Sequence, residues 1–524
     1  MTKLTMYCFL SIVTIVLYVG CNSKNTAHGT EINLSELTIS NIHKAYQEGT
    51  YTSEQLVQEY LQRIENYDTS INAITTINKQ ALQIAKELDE EFKKTGTLRP
   101  LHGIPLIVKD NINTAGLPTT AGSLALKNYI PTENAFIIQK LLAAGAIVLA
   151  KSNMAEWAFS PMHTESSTAG ITKNPYNTEF VPAGSSGGTG AAIAANFGAI
   201  GLGTDTGNSI RGPSSHNALV GFRTTLGLIS RSAIVPLYLR NDVVGPMCRT
   251  VEDATKVLEV IAGFDVNDSI TNKSNGKIPS NYTQFLKKNA LSGARIGVLR
   301  ELVDNDTNPE IKILFENALS QMTSSGATVI DPIEISDFKN LKTNQWCATF
   351  GEDVAHFLTN FVESDTLKSI EDIIRAGSFS DFARERLKRN AAHTGRWEDS
   401  EIPCSDAYTD IRRVAFREAI ENVMDSLNLD AMVYPTWNHP PAKIDQFQEG
   451  YKGDNSQIIS PHTGQPAFTV PMGLTTGNLP AGLQFLGRMY DEPILIGLTY
   501  AYEQGTKHRK TPNLQMATTG EIVE

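Results

Sequence analysis

Apolar residues recur at helical spacing soon after a polar start: Leu56, Val57, Tyr60, Leu61 and Ile64 follow Thr52-Ser53-Glu54-Gln55. That tetrad pairs a hydroxyl with an amide three places on, as a capping box requires, so a helix is predicted to begin there. A second helical pattern covers Leu82 to Phe92. Behind it, Leu101-His102-Gly103-Ile104-Pro105-Leu106-Ile107-Val108 ends in a β-branched apolar run, which predicts a buried strand delivering Lys109 at its end. Phe136 to Ala144 is again helical in pattern, Gly145 is a natural stop, and Ala146 to Ala150 reads as the next strand. Strands alternating with helices predict an α/β sheet.

The alternation is interrupted by a polar stretch from Asp268 to Thr283, read as a long loop or subdomain junction, and resumes with Ala294 to Leu299. The second half is richer in charge and helix formers up to about Leu427. Met432 to Thr436 and Ala467 to Pro471 then return to strand-like runs, so the C-terminal portion is expected to rejoin the sheet.

Composition adds two limits. With 41% hydrophobic and 19% charged residues over 524 positions, the chain has enough apolar material for a substantial core. A formal charge of -11 argues against a nucleic-acid partner, because a phosphate backbone needs clustered cations. The mixed run Arg384-Glu385-Arg386-Leu387-Lys388-Arg389 reads instead as a solvated helix face.

The first twenty residues read as an export signal: Lys3 is their only charge, and Leu4 to Gly20 is mostly apolar. At roughly 17 residues this segment is at the short limit for a membrane span. Gly20-Cys21 followed by Asn-Ser-Lys-Asn resembles a bacterial lipoprotein processing site, with Tyr18 in place of the usual leucine. The resemblance implies lipid on Cys21, an anchor in the membrane and residence in the bacterial cell envelope. Cys248, Cys347 and Cys404 lie far apart without paired spacing and are read as buried thiols, with one bridge left open.

Chemistry concentrates in two glycine-rich segments. Ala183-Gly184-Ser185-Ser186-Gly187-Gly188-Thr189-Gly190 lacks the lysine of a phosphate-binding loop and the spacing of a dinucleotide fingerprint. Its Gly184 to Gly188 does satisfy G-x-S-x-G, which would make Ser186 the nucleophile of a hydrolase elbow. The approach Asn177 to Pro182, however, is polar and proline-ended where an elbow needs an apolar strand. The second segment, Gly201 to Pro213, includes Thr206-Gly207-Asn208-Ser209. Glycine there would let backbone N–H groups converge on a developing negative charge, with Ser209 in reach of the same carbonyl; a tight turn with an ordinary serine fits equally well.

Taken together, GSSGG at 184–188 and DTGNSIRGP at 205–213, their serines Ser185 and Ser209 standing 24 positions apart, resemble the amidase-signature family. The likeness extends to LHGIPLIVKDNI at 101–112, LPTTAGS at 117–123, KSNMAEW at 151–157, GPMCRTVEDA at 245–254, and TGQPAFTVPMG with LPAGLQFLGR towards the end. It implies an α/β amidase-signature fold, a central twisted mixed β-sheet flanked by α-helices. The implied organisation is a signal peptide at 1–20, a short tether at 21–30, and one catalytic domain at 31–515 with a helical insertion at about 300–427.

The resemblance also implies cofactor-free hydrolysis of a carbon–nitrogen amide bond through an acyl-enzyme. Carried over by position, Ser209 is the nucleophile, Ser185, in a cis peptide, relays the proton, and Lys109 is the base. A lysine acts as a base only when neutral, so Lys109 must be buried away from carboxylates; Asp110, next along the strand, should point to the opposite face. Thr206, Gly207, Asn208 and Ser209 would supply the oxyanion amides, Ser186 would hold Lys109 or the loop, and Asp205 and Arg211 would brace the turn.

Asn208 stands where the family more often has glycine, and asparagine tolerates a left-handed backbone. His216-Asn217-Ala218 and Phe222-Arg223-Thr224-Thr225 also depart from the family wording, and are expected to alter the acyl pocket. His102, His163, His216, His439 and His462 show no metal-ligand spacing, so no metal is expected, and Lys109 already fills the base role that a Ser-His-Asp triad would need. The substrate is read as a small-molecule or peptide amide, with Trp157 to Ser160 and the region from Trp346 to Trp397 as selectivity elements. Two alternatives stay open: an ammonia-generating subunit like that of a tRNA-dependent amidotransferase, and a non-catalytic binding lipoprotein on the same fold.

Overall fold

A hydroxyl cap starts the first long helix as its sequence dictates. Thr52 accepts from the Gln55 N–H, Gln55 reciprocates, and the helix runs Ser53–Ile71 with Leu56, Val57, Tyr60 and Ile64 buried. The computed structural model describes residues 32–347, 349–392 and 404–514. The export signal, Cys21 and the 21–30 tether therefore lie outside the described residues, as does Trp397.

In chain order the strands are β1 (Ile74–Ile77), β2 (Pro105–Lys109), β3 (Ile147–Ser152), β4 (Glu165–Ser166), β5 (Gly170–Ile171), β6 (Ile200–Asp205) and β7 (Val220–Arg223). They continue with β8 (Val243–Cys248), β9 (Arg295–Val298), β10 (Thr328–Ile330), β11 (Ala431–Pro435), β12 (Ala467–Leu474) and β13 (Pro480–Leu486). Among the described residues, eleven of these form one sheet, ordered β1-β3-β2-β6-β8-β7-β12-β13-β11-β9-β10; β4 and β5 pair separately.

The sheet is mixed. β2 runs parallel to both β3 and β6, whereas β12 is antiparallel to β7 and β13. Parallel strands covered on both faces read as continuous apolar runs, and every residue of β2 is buried. The small-residue helix Gly187–Ala194 is wholly buried. Near the middle of the sheet, Phe222 on β7 and Phe468 on β12 are register partners whose rings stack with centroids 3.7 Å apart. This confirms the expected α/β sheet and the return of the C-terminal portion to it.

The Asp268–Thr283 stretch carries only short 3-10 turns, and the chain on either side of it joins the same sheet. β3 extends beyond the apolar run through Lys151 and Ser152, both buried and both hydrogen-bonded. A separate apolar cluster around Trp157, Phe159, Phe350 and Phe357 fastens the helices Phe350–Phe361 and Asp381–Ala391 to the loop after β3.

One cysteine expectation is corrected. Cys347 and Cys404 form a disulfide, with Cα atoms 6.0 Å apart, and only Cys248 remains a buried thiol among the described residues. Their sequence separation of 57 gives no local sign of the pairing; the intervening helices bring them together. Peptide mapping of the unreduced protein is expected to yield a Cys347–Cys404 cross-link, with Cys248 alkylated only after unfolding.

Candidate active site

β2 ends by pushing a lysine into the interior. Lys109 is fully buried, with Nζ 2.7 Å from Ser185 Oγ, 2.8 Å from Thr204 Oγ1 and 3.5 Å from the Thr204 carbonyl. Among the described residues no carboxylate forms a salt bridge with it. Burial lowers its pKa to about 7, against the pull of Asp205 and Asp242, which act to raise it. Asp110 turns the other way, as alternation along a strand requires, towards Lys151 at 3.8 Å and the Thr120 N–H at 3.2 Å.

Ser185 follows a cis Gly184–Ser185 peptide. Gly184 is there for space: a Cβ would meet the carbonyl oxygens of His163 at 2.3 Å and Ser160 at 2.4 Å. His163 and Ser160 are themselves locked, with His163 Nδ1 2.7 Å from Ser160 Oγ and its Nε2 3.2 Å from Glu165. This local Ser-His-Glu chain ties a turn; Ser160 Oγ also accepts from the Met162 and His163 N–H groups.

Asp205, at the end of β6, lies next to Thr204, and the two diverge: Thr204 meets Lys109, Asp205 meets two guanidiniums. Arg211 Nε lies 3.0 Å and Arg223 Nη1 2.9 Å from its oxygens, and the Ile210 N–H donates at 3.2 Å. Burial acts to raise the Asp205 pKa, but Arg211 and Arg223 prevail and hold it at about 2. Arg211 then reaches the Gly207 carbonyl at 2.7 Å and Gln484 on β13 at 3.1 Å.

Around this brace the turn places Thr206, Gly207, Asn208 and Ser209 along one wall of a cavity of about 420 Å³. The backbone N–H groups of Gly207, Asn208 and Ser209 make no hydrogen bond to any described residue. Ser209 Oγ donates to Asn208 Oδ1 at 3.3 Å, and no hydrogen bond joins it to Ser185. The same cavity is lined by Phe159, Tyr238, Trp346 and Cys347, with Arg386, Arg389 and Gln457. Both regions proposed for selectivity thus contribute, through Ala158 and Phe159 and through Trp346 to Arg389, while Trp157 is buried against Phe350.

A model of the family described as Amidase matches residues 55–496. The chain belongs to that family. It is 34% identical to a glutamyl-tRNA(Gln) amidotransferase subunit of Exiguobacterium sibiricum, over 92% of this chain and the whole of that protein. A probable amidase of Arabidopsis thaliana is 31% identical, over 95% of each chain. Among solved structures, native peptide amidase from Stenotrophomonas maltophilia superposes with a TM-score of 0.82 at 33% identity, covering 91% of this chain and 99% of that one. The corresponding glutamyl-tRNA(Gln) amidotransferase subunit of Thermotoga maritima gives 0.71 at 26% identity, covering 92% and 99%.

Several local expectations for this amidase change. Ser186 does not present an elbow nucleophile: it is buried, and its hydroxyl donates to the Thr204 carbonyl at 3.2 Å, holding β6 with no contact to Lys109. Gly207 and Asn208 are not left-handed. A Cβ on Gly207 would meet Trp346 Cη2 at 2.9 Å, so glycine is needed for clearance, and Asn208 instead uses its amide to reach the Pro161 carbonyl at 3.2 Å.

The departures at 216–218 and 222–225 stand behind the turn, outside the cavity lining. Arg223 braces Asp205, Asn217 bonds the Pro182 and Pro213 carbonyls, and the buried His216 ring packs on Trp437. Among the described residues no group of three or more His, Cys, Asp or Glu is arranged to hold a metal. Thr204 and Gln457 escaped sequence reasoning, and Arg223 was singled out as a departure but not as a brace for Asp205. Only Thr204 carried a signal, as a polar residue in a buried strand.

Removing Asp205's charge strands two buried guanidiniums, so Asp205→Asn is expected to cost about 3–5 kcal/mol at neutral pH in urea denaturation. Its carboxyl is held at about 2 when folded, against about 3.9 unfolded. The wild-type advantage is therefore full above roughly pH 4 and shrinks as pH falls towards 2.

Proposed function

We propose that this amidase cleaves small or peptide amides, with Ser209 as nucleophile, Ser185 as proton relay and Lys109 as base. The observation that carries the reading is a fully buried lysine, bonded to the hydroxyls of Ser185 and Thr204 and not to a carboxylate, with Thr204 near the end of the strand that leads into the Ser209 turn. Burial brings Lys109 to about 7, so a working fraction is neutral near physiological pH.

In the reactive arrangement the Ser209 hydroxyl turns from Asn208 to Ser185. Its oxygen attacks the amide carbon while its proton passes to Ser185, and the Ser185 proton passes to Lys109. The free N–H groups of the turn receive the oxyanion. As the carbon–nitrogen bond breaks, the relay runs backwards and protonates the leaving amine. Water then attacks the Ser209 ester through the same chain and frees the acid.

The aromatic walls Phe159, Tyr238 and Trp346 suit an apolar group beside the scissile amide. Similarity to peptide amidase, over nearly the whole of both chains, supports a stand-alone hydrolase acting on peptide-like amides. Residues 1–21 and the Cys347–Cys404 bridge support export and anchoring through Cys21 over service in a cytoplasmic amidotransferase, because such bridges persist in oxidising compartments.

A fluorophosphonate probe is expected to label the wild type and Ser186→Ala but not Ser209→Ala; labelling of Ser209→Ala with loss in Ser186→Ala reverses the assignment. Lys109→Met should lower kcat by about four orders of magnitude or more, and wild-type kcat/KM should rise with pH and level off above about 7. Globomycin-sensitive processing and a lipid label lost in Cys21→Ala test the anchor.

A further inference from the structure

Asp242 touches none of the proposed reacting groups, yet it joins two segments of the cavity lining. It lies just before β8 and is mostly buried. Its Oδ1 accepts the Thr206 hydroxyl at 2.5 Å and the Tyr238 N–H at 3.2 Å, and its Oδ2 accepts the Leu237 N–H at 2.9 Å. Thr206 belongs to the turn that carries Ser209, whereas Leu237 and Tyr238 line the same cavity from a different segment. A carboxylate with two acceptor oxygens is suited to fix three donors from two segments at once.

We propose that Asp242 is a positioning residue that couples the substrate wall at Leu237 and Tyr238 to the Ser209 turn through Thr206. The inference rests on the Ser209, Ser185 and Lys109 reading and adds a residue that acts through it. A group pressing on the wall is thereby referred to the N–H groups that must meet the oxyanion, and misplacing these by about 1 Å costs rate.

Charge gives the coupling a second effect. Two carboxylates act on Lys109, Asp205 and Asp242. Asp205 is outweighed by Arg211 and Arg223, whereas Asp242 has no ion-pair partner within 4 Å among the described residues and is held by hydroxyl and amide donors. The charged and titratable side chains that sense Asp242 are Lys109, Arg223, Arg231, Tyr238 and Asp353, and Arg231 is already paired with Asp268. Asp242 therefore favours the protonated form of Lys109, and removing its charge makes Lys109 a weaker base that is neutral at lower pH.

The test compares Asp242→Asn, Thr206→Val and Thr206→Ser with the wild type in the full-length protein, on one small amide and one carrying an aromatic group beside the carbonyl. Asp242→Asn is expected to lower kcat about tenfold and to move the acid limb of the kcat/KM profile to lower pH by about 0.5. Thr206→Val should lower kcat several-fold and leave that limb in place, and Thr206→Ser should restore kcat.

An unmoved limb in Asp242→Asn overturns the inference, since a purely structural loss reduces rates at every pH alike. Unchanged kcat in Thr206→Val overturns it as well, whether or not Asp242→Asn folds. A wild type that fluorophosphonate does not label at Ser209 would remove the catalytic reading itself, which separates that failure from these.

Discussion

Everything at this site depends on burying an amine without giving it a carboxylate. A lysine transferred to the interior carries a desolvation penalty on its charged form, and a salt bridge would offset that penalty and keep the amine protonated, without the neutral form that a proton-accepting role needs. The fold resolves this by surrounding Lys109 Nζ with hydroxyls and a carbonyl, from Ser185 and Thr204. The nearest carboxyl along the chain, Asp110, is sent to the opposite face and faces Lys151 at 3.8 Å. Asp205, one position beyond Thr204, is claimed by Arg211 and Arg223.

These devices follow from period-two alternation on β2 and β6. Lys109 and Asp110, and likewise Thr204 and Asp205, are neighbours whose side chains go to different environments. The turn proposed to receive the oxyanion is placed by a different means. The N–H groups of Gly207, Asn208 and Ser209 make no hydrogen bond among the described residues, the Asp205 carboxylate takes the N–H of Ile210, and Arg211 spans from Asp205 to the Gly207 carbonyl and onward to Gln484. Rigidity comes from this buried ionic cluster, and openness from the clearance glycine leaves beneath Trp346.

Much of this was legible in the sequence because it is local. Capping chemistry marked the Ser53–Ile71 helix, an apolar β-branched run marked β2, and the glycine-serine wording marked the two segments proposed for catalysis. Long-range placement was not legible. Nothing in the spacing of Cys347 and Cys404 indicated their bond, and nothing near Phe222-Arg223 showed that a guanidinium reaches back to Asp205. The left-handed reading of Gly207 and Asn208 failed for a related reason: glycine can be required by a neighbour as well as by a torsion angle, and that neighbour, Trp346, is remote in sequence.

The position of β12 and β13 has a consequence for how such a chain comes into being. β12 seats itself against β7 near the middle of the sheet, and β13 supplies the Gln484 side chain that holds Arg211. A nascent chain that has already exposed Lys109, Ser185 and Ser209 still lacks the partner that fixes the turn between them. The proposed centre is therefore complete only when the last strands arrive, and the unfinished polypeptide carries its side chains without the brace that orders them.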